Sequence, residues 1–413
     1  AVRAWRLASE ERRTVVLNLP LALQAAADAG THADAAPVES RREGDDPDPV
    51  ALAELVRLLG SASRPLFIAG RGARPAGARD ELLDLAAAAG ALLATSAVAR
   101  GLFVGDPWDL DVSGGFATPV ATELISDADL VVAWGCSLTM WTTRHGTLIH
   151  PEATVVQIDD DPAALGRQRP VHLGITGDVS AVAREVGRQL ARRPGTGYRT
   201  HAVAERLRHR RRWRDVAYDD TSNADRIDPR TLTIALDDLL PAERIVAVDS
   251  GNFMGYPSMF LDVPDGDGFC FTQSFQSIGL GLSTAIGAAL ARPDRIPVAA
   301  LGDGGALMSI CELDTVVRLG LPMLVVVYND EAYGAEVHHF GPGGHRLDTV
   351  RFPETDLAAL GRGFGCEAVT VRTGTDLDGV RRWLDGPRDR ALLVDAKITK
   401  APSWWLAEAF RGH

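Results

Sequence analysis

The chain has 413 residues, 46% of them hydrophobic and 24% charged, with a net charge of -12; this is the make-up of an ordinary globular protein with room for two or three cores. The acidic balance excludes a general nucleic-acid binder, which would carry a basic footprint. The most apolar run, Leu85–Ala99, is Ala-rich, interrupted by Gly90 and too short for a membrane helix, so a soluble protein is expected.

The opening residues, AVRAWRLASEERR, are charged and amphipathic rather than a secretory signal. Residues 1–27 read as a helix followed by a short strand, TVVLNLP, and residues 28–48 as a polar Ala/Asp/Pro-rich linker marking a domain boundary. Across residues 49–193, amphipathic helices alternate with apolar strands such as PLFIAG, LLATS, DLVVAWG and ATVVQID. That alternation predicts a parallel, doubly wound α/β sheet. GRGARPAG, Gly70–Gly77, follows the first of these strands; it suits either a dinucleotide loop or a plain turn, because a lone GxG is a weak signal.

Residues 194–227 form a second connector. Its arginine cluster, Glu205–Val216, reads as an anion patch or as a solvated helix, and the acidic chain around it favours the solvated helix. From residue 228 to 413 the alternation resumes, starting with a helix capped by Asp228 with Pro229 in its first turn. The fold class is therefore α/β, with two doubly wound parallel-sheet domains.

Cys136, Cys270, Cys311 and Cys366 form no CxxC pair, which argues against zinc or a disulfide framework and fits a reducing cytoplasm. Lysine occurs only as Lys397 and Lys400, and no GxxxxGK[ST] is present, so a P-loop is excluded. A Schiff-base lysine is not expected, since both candidates lie near the end of the chain.

The chemistry concentrates between Gly302 and Glu336, in GDGGALMSICELDTVVRLGLPMLVVVYNDEAYGAE. VAALGDGG brings Asp303 to the carboxyl end of one strand, and LVVVYND brings Asp330, 27 residues later, to the end of another. Ligands of parallel sheets bind beyond those ends. A helix starts at the intervening glycine turn, so its first amides and its dipole favour an anion. Two carboxylates beside an anion site suit Mg²⁺ joined to a phosphate-bearing ligand.

This Gly-Asp-Gly and Asn-Asp pairing resembles the thiamine-diphosphate signature of the acetolactate synthase, pyruvate decarboxylase and benzoylformate decarboxylase superfamily. RPLFIAGRGA, SDADLVVAWGCSL and VVQIDDDP resemble the superfamily's central Rossmann-like domain, and residues 228–413 its diphosphate-binding domain with a C-terminal tail. Residues 1–27 resemble the last helix and strand of its pyrimidine-binding domain. The resemblance implies Mg²⁺ ligands at Asp303, Asp330 and the carbonyl of Ala332. It also implies diphosphate contacts at Gly304 and Gly305 and, more loosely, at Gly251 and Asn252. Ile278 would be the wedge that keeps the cofactor bent, with the carbonyl of Gln276 receiving its amino group. The implied reaction is decarboxylation or carboligation of a 2-oxo acid, acetolactate-synthase-like, through a C2 ylide and an enamine. Glu336 and His338 would relay protons.

Two departures accompany the resemblance. Many members have asparagine where Asp330 stands, so this site carries an extra negative charge. The glutamate that activates the aminopyrimidine belongs to the pyrimidine-binding domain and is not among these residues. A shortened chain, a separate partner subunit or a non-catalytic, scaffolding homologue would each account for that. The superfamily further implies a homodimer or homotetramer, and some relatives hold FAD or ADP in the central domain. The C-terminal SWWLAEAF, Ser403–Phe410, could be an apolar lid or docked core.

Overall fold

Among the described residues twelve strands build two six-stranded sheets, each wholly parallel. The computed structural model describes residues 2–9, 14–20, 47–190, 197–272, 277–403 and 405. The chain divides into two units, Ala1–Pro47 and Asp48–His413. In the first, Val2–Ser9 is helical as expected. The strand expected at TVVLNLP does not form: residues 14–20 have no ladder partner among the described residues, and a strand without one is not stable. The expected linker falls mostly outside the described residues.

In the second unit, the first sheet comprises β1 (Pro65–Ala69), β2 (Leu92–Thr95), β3 (Asp109–Val112), β4 (Leu130–Trp134), β5 (Thr154–Asp159) and β6 (Leu173–Thr176), in the order β3-β2-β1-β4-β5-β6. Every residue of β1, β2 and β4 is buried, because helices cover both faces. Thr118 and Asp178 cap the helices Pro119–Ser126 and Val179–Gln189 with their side-chain oxygens.

The strand order reverses between β1 and β4, where an open sheet usually leaves a ligand crevice. Here the backbone itself fills it. The Gly70 amide donates to Trp134 O at 2.8 Å and the Gly72 amide to Gly135 O at 3.0 Å. Gly135 has φ +55°, and a Cβ there would lie 2.7 Å from the Gly72 backbone. The Gly70–Gly77 stretch is thus a packed turn, and the arrangement lends no support to FAD or ADP in that crevice.

The second sheet comprises β7 (Arg244–Val248), β8 (Phe269–Phe271), β9 (Ile296–Gly302), β10 (Leu324–Asn329), β11 (Glu367–Val371) and β12 (Leu392–Lys397), in the order β11-β12-β10-β9-β7-β8. The chain leaves β7 for the β8 edge and then crosses back to β9, so the switch point lies between the carboxyl ends of β7 and β9. Among the described residues no helix is long and apolar enough to cross a membrane.

The arginine cluster of the connector is only partly solvated. Arg212 and Arg214 leave the end of the helix His201–Arg210 and converge on Asp237, whose carboxylate is buried and also takes Arg244 Nη2 at 2.6 Å. Nearby, Trp213 Nε1 donates to Phe116 O at 2.6 Å, and Phe116 packs edge-on against Phe271 and Trp405. Trp405 is buried in the core of the second sheet. The described part of the C-terminal segment is therefore docked core and not a lid.

Asp228, fully buried, organises the entry into the second sheet. It accepts from the Thr221 amide and hydroxyl at 3.0 and 2.8 Å and from the Arg230 amide and guanidinium. Burial opposes its charge, but Arg230 and Thr221 outweigh it and hold the carboxyl down at about 2. A depressed folded pKa contributes stability that is present above the unfolded value near 4 and is lost as pH falls through about 2. Asp228→Ala is therefore expected to cost roughly 2–4 kcal/mol at neutral pH. Paired thermal melts should show a gap that is constant from pH 8 to pH 5 and narrows below pH 4.

Candidate active site

Three strand ends deliver the site. The β7 end carries Asp249, Gly251 and Asn252; the β9 end carries Asp303, Gly304 and Gly305; the β10 end carries Asn329 and Asp330. Parallel pairing sets β9 beside both β7 and β10, with Val248 level with Ala300 and Tyr328 level with Gly302. All three turns thus open on one edge.

Asp303 and Asp330 are buried, at 4% and 7% exposure. Asp303 accepts from the Gly304 amide at 2.9 Å and, across the turn, from the Ala332 amide at 3.1 Å. Burial pushes both carboxyls well above the usual carboxylate range, and the charge of Asp303 raises Asp330 further. Two desolvated like charges side by side call for a cation. Among the described residues no group of three His, Cys, Asp or Glu side chains converges. A cation here would thus draw on backbone and ligand oxygens as well, which is Mg²⁺-like coordination.

Glycine opens a cradle beside these carboxylates. A Cβ on Gly305 would lie 2.4 Å from Asp249 Oδ2 and 3.2 Å from Ile278 Cγ2, and one on Gly304 would lie 2.3 Å from the Tyr333 ring. A Cβ on Gly334 would lie 2.3 Å from Asp330 Oδ2 and 3.0 Å from Asn252 Cβ. The Gly304 amide donates to Asp303 Oδ1 at 2.9 Å, and both glycines lie in the first turn of the helix Asp303–Ser309, where amides are available to an anion. The donor set and the cradle fit a divalent cation carrying a diphosphate.

Ile278 is half-buried and faces Gly305 rather than filling the core behind it. Gln276 lies outside the described residues. Gly251 adopts φ +142°, which favours glycine. The Asn252 side chain is held by the C-terminal segment: its Oδ1 accepts from Ser403 Oγ at 2.8 Å and its Nδ2 donates to Ala401 O at 3.1 Å. Its side-chain amide is thus spent on the C-terminal segment, although the residue borders Gly334. Glu336 and His338 lie half-buried on the helix Gly334–Phe340, and burial lowers the His338 pKa. Tyr333 precedes that helix, and burial and the charges of Asp303 and Glu336 push its hydroxyl pKa up.

Comparison with known proteins identifies the family. Residues 52–186 match the central domain of thiamine pyrophosphate enzymes, and residues 249–395 match their C-terminal TPP binding domain. The chain belongs to the thiamine pyrophosphate enzyme family. It is 30% identical over 312 residues to the sulfoacetaldehyde acetyltransferase of Alcaligenes xylosoxydans xylosoxydans, covering 69% of this chain and 52% of that protein. It is 30% identical over 336 residues to the acetolactate synthase large subunit of Parasynechococcus marenigrum, covering 79% and 53%. With the sulfoacetaldehyde acetyltransferase of Rhodobacter capsulatus the identity is 29% over 390 residues, covering 88% and 65%. The chain thus spans between half and two thirds of the length of these relatives.

Several residues that shape the site carry no sequence signal of their own. Asp249 is wholly buried and accepts from the Ser250 amide at 2.8 Å and the Gly279 amide at 3.0 Å, which ties the loop bearing Ile278 to the end of β7. In the sequence it reads as a turn residue in DSGN. Gly305→Ala would drive a methyl group into Asp249 and Ile278. It is expected to cost about 1–3 kcal/mol of stability, the usual range for overpacking, and to be read as a lower denaturant midpoint at unchanged slope.

Proposed function

We propose that this chain supplies the diphosphate- and Mg²⁺-binding half of a thiamine-diphosphate-dependent enzyme acting on a 2-oxo acid, as a decarboxylase or carboligase of the acetolactate-synthase kind. The observation that carries the reading is the pair of buried carboxylates, Asp303 and Asp330, meeting beside the Gly304–Gly305 turn. Relatives named for acetolactate synthesis and for acetyl transfer support carboligation over simple aldehyde release.

In this reading Asp303, Asp330 and the Ala332 carbonyl hold Mg²⁺, and Gly305, with Gly251 and the backbone of Asn252, lines the diphosphate. When bound, thiamine diphosphate supplies the thiazolium that takes up the electron pair released as carbon dioxide leaves. Ile278, next in sequence to Gly279, which Asp249 holds, would present its side chain to the cofactor beside Gly305. Tyr333 and Glu336 are placed to hold or move a proton near the reacting carbon. His338, kept neutral by burial, can accept one. The pyrimidine-binding surface, with its activating glutamate, comes from a domain outside these residues, on a longer chain or a partner. A homodimer or homotetramer that joins the two halves follows. A cytoplasmic setting suits the unbridged Cys136, Cys270, Cys311 and Cys366.

Calorimetric titration with thiamine diphosphate, with and without MgCl₂, tests the assignment. Binding should require Mg²⁺ and vanish in Asp303→Ala. Asp330→Asn should retain it, because an amide oxygen can still ligate the ion. With the pyrimidine-binding half supplied by the longer chain or the partner, binding should be followed by carbon dioxide release from a panel of 2-oxo acids. Binding that is insensitive to both Mg²⁺ and Asp303→Ala overturns the assignment of the cradle.

A further inference from the structure

Glu331 sits between Asp330 and Ala332, the two positions assigned to the metal on this loop, and nothing in its residue type suits it to its backbone. Its φ is +59°, in the left-handed region that a non-glycine residue seldom enters. The turn holds because its neighbours hold it. The Glu331 amide donates to Asn329 Oδ1 at 3.2 Å, and its carbonyl accepts from the Phe352 amide at 2.8 Å. Its carboxylate, only 13% exposed, accepts from Lys400 Nζ at 2.6 Å and from the Arg226 guanidinium.

Both cations are anchored independently. Arg226 also donates to Ile398 O at 3.0 Å, and its loop is bonded to β12 through the Ile227 amide and Lys397 O, at 2.9 Å. Lys400 begins the stretch whose next residues, Ala401 and Ser403, bind the side chain of Asn252. The C-terminal stretch thus ties the β10 turn to the β7 turn. Two cations on one carboxylate leave a net positive charge beside Asp303 and Asp330, where a polyanion is to bind.

We propose that Glu331, Arg226 and Lys400 form a positioning clamp that sets the left-handed turn at the metal loop before any ligand arrives. The inference rests on the reading of Asp330 and Ala332 as metal-binding positions, and it assigns to the clamp both the geometry of that loop and its charge balance. None of the three residues touches the reacting atoms. The alternative, an incidental ion pair at the half-exposed Lys400, would contribute little to anything measurable.

Two readouts on the same variants separate these outcomes. In ligand-free protein, hydrogen exchange is followed at the amides of Ala332 and Tyr333, which bond to Asp303 Oδ2 at 3.1 Å and Val350 O at 2.9 Å. In parallel, thiamine diphosphate is titrated in the presence of MgCl₂. Lys400→Met and Glu331→Gln are expected to speed exchange at both amides and to weaken Mg²⁺-dependent binding about tenfold each, the equivalent of 1.4 kcal/mol. Lys400→Arg should match the wild type. Glu331→Asn accepts a left-handed backbone without the charge and should behave like Glu331→Gln. Wild-type behaviour of Glu331→Asn would show that the backbone alone is what the loop needs, and overturns the clamp. Absence of cofactor binding in the wild type with the pyrimidine-binding half supplied would sink the functional reading alone; the exchange rates then decide, and unchanged protection in both Glu331→Gln and Lys400→Met overturns the clamp.

Discussion

The constraint on which this structure turns is the burial of two carboxylates at one sheet edge. A desolvated carboxylate costs several kcal/mol unless something offsets it, and here Asp303 and Asp330 share that penalty and repel each other. A fold arranged for stability alone would not place them together. The surrounding glycines make sense on the same terms: with a Cβ, Gly305 would strike Asp249 and Gly334 would strike Asp330. The site trades local stability for a pair of buried carboxylates whose repulsion a divalent cation can relieve.

The parallel sheet is what makes this placement possible. Adjacent parallel strands end on the same side, so β7, β9 and β10 each turn over a common edge without any long loop. The central domain has the same layered logic but reaches a different result. At its own switch point Gly70–Gly72 and Gly135 pack backbone to backbone, so a position that could have held a ligand is closed. Two similar architectures thus divide into one that presents a site and one that packs against it through Phe116 and Trp213.

The long apolar strands and their helices were legible because both faces are buried, which yields unbroken hydrophobic runs. The strands β3, β6 and β8 were not: DLDV alternates charge, LGIT contains glycine, and FCF has only three residues, and each lies away from the sheet centre. TVVLNLP misled in the opposite direction, since β-propensity does not provide a pairing partner. Within the site, Asp303 and Asp330 could be read from their positions at strand ends. The partner of the Asn252 side chain could not be read, because Ser403 is 151 positions away. Asp249 and Glu331 escaped for the same reason: their partners come from segments that only the fold brings together.

Asn329 and Asp330 show how neighbouring polar residues acquire separate roles. Asn329 is buried, and its side chain is fully spent: Nδ2 donates to Asp395 Oδ1 at 2.8 Å and Oδ1 accepts from the Glu331 amide at 3.2 Å. Asp395 is held in turn by Lys397 Nζ at 3.1 Å, and Lys397 is level with Asn329 in the β10–β12 ladder. Of the two, Asp330 is the one the proposed Mg²⁺ site would use. The chain's two lysines therefore both serve the β10 turn, Lys397 from within the sheet and Lys400 from its edge. Lys397 neutralises Asp395, and Lys400 shares Glu331 with Arg226. An acidic site of this kind is held open by cations placed one layer behind it, where they offset the charge without occupying the space a ligand needs.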